Sequence, residues 1–148
     1  MAGTIAIAKD PSKLRVKERQ MAADAVIEVN EMVMLSAGYV DTPSAVAGAF
    51  ICGIAMESKD NTDGLDGAVS IKVAEGVFRL PGSTLEQEDE GSPVFAENAT
   101  TIDETRDANQ PVAGILEKYE GAAAGFVNID AAQNQILEIA LQGLVEPT

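Results

Sequence analysis

The 148-residue sequence contains no histidine, which removes the usual general base near neutral pH and the usual neutral metal ligand. Recurrent catalytic strings are missing as well: there is no G-x-S-x-G, no S-x-x-K with its partners, no G-x-x-x-x-G-K-[ST] and no G-x-G-x-x-G. The expectation is a non-enzymatic protein with no cofactor and no metal. Cysteine occurs once, as Cys52 in AFICGIAME, so no internal disulfide can form, and the apolar setting reads as a buried, inert thiol. Tryptophan is absent and only two Tyr and four Phe are present. The 23 alanines then imply a thin core of small and β-branched residues, one that association with partners can supplement.

Long apolar runs are also lacking. No segment approaches the about 18 continuous apolar residues of a membrane helix, and MAGTIAIAKD has no charged stretch followed by a long apolar one. The reading is a soluble protein made and kept without secretion, with no membrane partner. Positive charge is scarce: ten Lys and Arg stand against 24 Asp and Glu, a formal net charge of −14. Nucleic acid is excluded as a partner on that ground, because phosphate contacts need a basic face that releases counterions.

The few basic residues are unevenly spread. Lys9, Lys13, Arg15, Lys17 and Arg19 fall in the first 20 positions with only Asp10 and Glu18, a net +3, while the other 128 residues carry five basic and 22 acidic side chains, a net −17. A basic arm on an acidic body points to two surfaces with different partners, and a plain solvated tail is the competing account. Residues 1–24 are read as this N-terminal arm. TIAIA is strand-like, Pro11 breaks the polar stretch after it, and Leu14 and Val16 alternate with Lys13, Arg15 and Lys17, the period of a half-buried strand able to pair with a neighbouring sheet edge. The alternative is an ordinary first strand of the domain.

Residues 25–130 alternate short apolar runs with turn residues, which predicts an all-β sandwich or barrel. In EGVFRLPGSTLEQEDEGSPVFAE, Pro81-Gly82 ends one strand at Leu80, Ser83 to Gly91 forms a solvated acidic loop, and a second strand runs from Pro93 to Ala96. CGIAMESKDNTDGLDGAVSIKVA and AGILEKYEGAAAGFVNIDAA share a Gly-Ile, turn, Val-(Ser/Asn)-Ile order, so each reads as one β-hairpin. DNTDGLDG misses the ligand spacing of a calcium loop and reads as turn chemistry; the Glu86 to Glu90 run is expected to stay hydrated. Residues 131–148 form a C-terminal extension in which Ile136, Leu137, Ala140, Leu141 and Leu144 share one helical face. ILEIAL also alternates imperfectly, leaving a strand as the alternative.

Taken in order, AGAFICGIAME, GAVSIKVAEGVFRLPG, an acidic spacer, GSPVFAE, a Thr-rich turn and PVAGILEKYEGAAAGFVNID resemble the small phage capsid cement, or head decoration, proteins over about residues 25 to 130. Gly91-Ser92-Pro93-Val94-Phe95 stands where that family usually has Gly-Asp-Lys-Val-Tyr. The resemblance implies a small β-barrel or β-tulip-like domain that trimerises on the outer surface of the virion's expanded icosahedral head. It would sit at three-fold and local three-fold positions, bind the major capsid protein and stabilise the shell. On this reading Ile5, Ile7, Leu14 and Val16 offer apolar faces for strand addition, while Lys9, Lys13, Arg15, Lys17 and Arg19 meet shell carboxylates. The rival reading is an acidic, non-enzymatic β-domain displayed on a particle to bind a host surface or carbohydrate, which would need a cluster among Tyr39, Phe50, Phe78, Phe95, Tyr119 and Phe126.

Overall fold

The computed structural model describes residues 7–82, 85–107, 109–121 and 124–145. In chain order its strands are β1 Ile7–Ala8, β2 Arg15–Gln20, β3 Val26–Ile27, β4 Met32–Ser36, β5 Tyr39–Asp41, β6 Phe50–Ala55, β7 Lys59–Asp60, β8 Ser70–Pro81, β9 Pro93–Ala96, β10 Ile102–Asp103, β11 Val112–Tyr119 and β12 Ala124–Ile129, followed by the helix α1 Ala131–Val145. The body is all-β, as expected. One large sheet runs β10-β9-β11-β12-β8-β6-β4-β5, and β11 also meets β6 through Val112 and Phe50, closing β8, β12, β11 and β6 into a small barrel. β3 and β7 form a separate two-stranded piece.

β8 organises the whole. Its side chains alternate between faces, so Ala74, Phe78 and Leu80 enter one apolar cluster while Ile71 and Val73 enter a second. A strand buried on both faces needs the nearly unbroken apolar text that SIKVAEGVFRLP supplies. The strand runs one residue past the expected stop, to Pro81, and β9 has the predicted bounds. Between them Leu85 is buried in the barrel, and Gln87–Asp89 makes a short 3₁₀ turn. Glu90 accepts a hydrogen bond from the Tyr119 amide at 2.8 Å, so the acidic spacer is pinned at both ends while its middle stays in water.

The two similar segments each hold an antiparallel pair, β6 with β8 through Ile54 and Ala74, and β11 with β12 through Ile115 and Asn128. The glycine before each isoleucine has a steric reason. A Cβ on Gly53 would lie 2.6 Å from the Ala74 carbonyl oxygen, and one on Gly114 would run into the Asn128 carbonyl oxygen. In DNTDGLDG the polar groups make turn hydrogen bonds: Asn61 Nδ2 donates to Ala22 and Leu65 carbonyls, and the Asp60 carboxylate accepts from the Thr62 amide.

Two expectations change. Within the stretch read as an arm, residues 1–24, the alternative of an ordinary strand of the domain holds for the described part: Arg15 to Gln20 pair in unbroken antiparallel register with Glu75 to Ser70, and Ile7 and Ala8 pair with Arg79 and Phe78. A period-two strand beside its own domain's longest strand satisfies its backbone there. The C-terminal segment is helical, but its inward face is not the predicted apolar one. Ala131, Asn134 and Glu138 are buried, Leu137 and Leu141 are half-buried, and Ile136 and Ala140 are exposed; the Leu144 side chain lies outside the described residues. The barrel seam decides this, because it presents backbone carbonyls that an amide can satisfy and a leucine cannot.

Candidate interaction surface

The N-terminal ribbon, residues 7–20 with β1 and β2, is held to the body by a buried carboxylate. Glu75 sits in mid-β8 with its side chain 4% exposed. Arg15 Nη2 lies 3.4 Å from its Oε1, Lys17 Nζ lies 3.2 Å from its Oε2, and the Ala131 amide at the start of α1 donates to Oε1 at 2.9 Å. Arg15 also reaches Asp130 at 3.0 Å, while Asp130 Oδ1 caps α1 by accepting from the Gln133 amide. An acid at the free N–H end of a helix is favoured by the helix dipole. Ribbon, β8 and α1 thus converge on one side chain that sequence reasoning passed over. Its signal was there: a lone acid inside VAEGVF needs counter-charge, and the basic segment supplied it.

The remaining ribbon residues fall as follows. Lys9 pairs with Glu117 at 3.4 Å and lies over the Phe126 ring, 5.6 Å from its centre. Leu14 packs toward the barrel cluster against Gly76. Val16 is 52% exposed. Lys13 is exposed and Arg19 half-buried, and among the described residues neither forms an ion pair; Arg19 Nε is buried without a hydrogen-bond partner there. Ile7 contributes backbone pairing to Arg79, and Ile5 lies outside the described residues. Lys9, Lys13 and Arg15 line a cleft of about 510 Å³ together with Asp10 and Glu117, over a floor that includes Val77.

β2 uses one edge for β8. Among the described residues its other edge carries only the Met21–Val40 bridge at its end, so the backbone of residues 15–18 is open to an added strand. Cys52, behind the same region, is buried, which pushes its thiol up to about 12 against the opposing pull of Arg19. Phe50, Phe78 and Phe95 are buried, and Tyr39, Tyr119 and Phe126 are half-buried. Among the described residues no group of three or more His, Cys, Asp or Glu is placed to hold a metal ion, and no helix is long and apolar enough to cross a membrane.

The fold and this surface define a small closed β-barrel with a strand ribbon and a docked C-terminal helix. No family model and no curated protein matches the sequence. Among solved structures the chain is similar to one in the capsid of Myoviridae phage XM1, with a TM-score of 0.50 and 19% identity over 88% of this chain and 94% of that one. At that identity the likeness is one of fold.

Proposed function

We propose that this chain is a non-enzymatic structural component of a phage virion, a decoration protein that binds the outer surface of the expanded head. It sits there as homotrimers at three-fold and local three-fold positions, touches the major capsid protein and stabilises the shell. The observation that carries this reading is the likeness of fold to a phage capsid chain over nearly the full length of both chains, joined to the cement-protein order of strand motifs from residue 25 to 130.

The ribbon is the part that meets the shell. Its open edge at residues 15–18 takes a strand of the shell subunit, Val16 packs against that strand, and Lys13 meets a shell carboxylate. Three such contacts on one trimer act with high effective concentration, so each can be weak. Trimers that straddle neighbouring shell subunits oppose their separation without any reaction taking place.

The test is co-sedimentation with expanded, undecorated heads of the phage that encodes the protein. The full chain should saturate at one trimer per three-fold position. Val16→Glu combined with Lys13→Glu, both at exposed sites, should weaken binding at least tenfold with an unchanged melting curve. Absence of binding by the full chain overturns the decoration reading; unchanged binding by the double variant overturns the ribbon as its contact.

A further inference from the structure

α1 faces the wrong way for a helix that merely covers a barrel. A surface helix normally turns its apolar stripe inward and its polar residues outward. Here Asn134 and Glu138 point in beside Ala131 and the half-buried Leu137 and Leu141, while Ile136 and Ile139 are 67% and 66% exposed. Ala132, Gln135 and Ala140 are exposed beside them, so the outer face carries no charge at all. Glu138 is the helix's single charged residue, and it is turned inward against Arg106.

The inverted orientation is firmly fixed. Asn134 Nδ2 donates to the carbonyls of Ile51 and Ala113 at 2.7 and 2.8 Å, Arg106 reaches Glu138 at 2.6 Å, and Glu75 receives the Ala131 amide. Polar anchors at three points hold two isoleucines out in water, a preorganised apolar surface rather than a loosely packed end.

We propose that this face is where copies of this chain meet, with three α1 helices running side by side about a three-fold axis. Two features select a second and third copy as the occupant. Ala132, Ile136 and Ile139 are spaced four and three residues apart and form one apolar stripe along the exposed side of α1, so matching stripes on identical copies can lie side by side about a symmetry axis. Charge gives the second argument. A chain of net charge −14 repels its own copies over most of its surface, and an uncharged face lets identical surfaces approach about a symmetry axis without placing acid against acid. Leu65, at 79% the most exposed large apolar residue among the described ones, lies on the turn at 61–67 and not on α1. The inference rests on the homotrimer of the reading above and not on shell binding.

Sedimentation equilibrium of the full chain, from roughly micromolar to millimolar concentration, tests it. The full chain and Leu65→Glu should approach three times the 15.4 kDa monomer, and Ile139→Glu should associate at least tenfold more weakly while keeping the same circular dichroism and melting curve. If Ile139→Glu does not fold, Ile136→Ser and Ile139→Ser, which add no charge, take its place. A chain that stays monomeric throughout, a dimer without trimer, or equal association by the α1 variants overturns the proposal. Trimers that fail to bind heads refute the decoration reading alone; head binding by a chain that never associates through α1 refutes this inference alone.

Discussion

Asn134 is the side chain whose replacement tests the architecture most directly. It is fully buried on α1, and its amide donates to Ile51 and Ala113 at 2.7 and 2.8 Å, one carbonyl on β6 and one on β11. Those strands are paired only at Val112 and Phe50, so the amide bridges the seam just where backbone pairing stops. Asn134→Ala removes both donors and leaves a small void, a cost of about 2–4 kcal/mol at roughly 1–2 kcal/mol for each buried bond lost. Asn134→Asp keeps the size and reverses the polarity, setting carboxylate oxygens against two carbonyl oxygens. A buried charge without a partner costs about 3–5 kcal/mol, so Asn134→Asp should be the worse of the two although it is nearly isosteric. At about 2–4 °C per kcal/mol for a domain of this size, the melting temperature should fall by roughly 6–20 °C. Its deficit should shrink on acidification, because protonating the buried carboxyl removes the charge. Thermal and urea melts of the three proteins settle the matter. Asn134→Asp melting within about 2 °C of the parent, or Asn134→Ala proving the worse, would refute the assignment of the amide as the bridge across the seam.

Arg106→Met should cost about 3–5 kcal/mol by leaving Glu138 buried without the guanidinium 2.6 Å away, while the double variant Arg106→Met/Glu138→Leu regains most of it; urea midpoints check both. Cys52 should resist thiol reagents at pH 9 in the folded protein and react on unfolding. Its thiol is pushed from 9.0 up to about 12 by burial, so the stability that comes from keeping it neutral is complete below pH 9. That stability is lost as pH rises toward 12, by at most about 1.4 kcal/mol per pH unit, and an alkaline denaturation series compared with Cys52→Ala measures it.

What could be read from sequence was whatever is encoded locally. Pro81-Gly82 and the acids after them placed the end of β8 within one residue and both bounds of β9, because the stop signals lie in the same few residues they act on. The β11–β12 hairpin was legible for the same reason, as was the existence of α1. What escaped depends on distant partners. Nothing within KLRVKERQ says that its mate is SIKVAE, some 55 residues on, so an arm and a paired strand look alike in that segment. The helix was turned about its axis because apolar spacing pointed to Ile136 and Ala140, whereas the surface it lands on offers the carbonyls of Ile51 and Ala113 and the guanidinium of Arg106. Periodicity records a helix's own preference and is silent about the chemistry of the surface beneath it.

The Glu75 site also decides which basic residues are free to meet a partner. Drawing Arg15 or Lys17 away to an external carboxylate gains a surface ion pair, about 0–1 kcal/mol, and strips a counter-charge from a carboxylate that is 4% exposed, which costs several kcal/mol. The cost of stripping Glu75 exceeds the gain, so both stay where they are. Lys9 is a lesser case, since its partner Glu117 is itself half-exposed and the exchange is nearly even. Lys13 forms no ion pair among the described residues and has only a solvent-exposed attraction to Asp10, so it gives up little on binding an acid. Among the five basic residues of the ribbon, electrostatics therefore divides Arg15 and Lys17, which hold β2 and the start of α1 to the barrel, from Lys13 beside the open edge. The binding surface proposed for this ribbon would be built from that edge, Val16 and Lys13, and charge reversal at Lys13 should be felt in binding where reversal at Lys17 is felt first in folding.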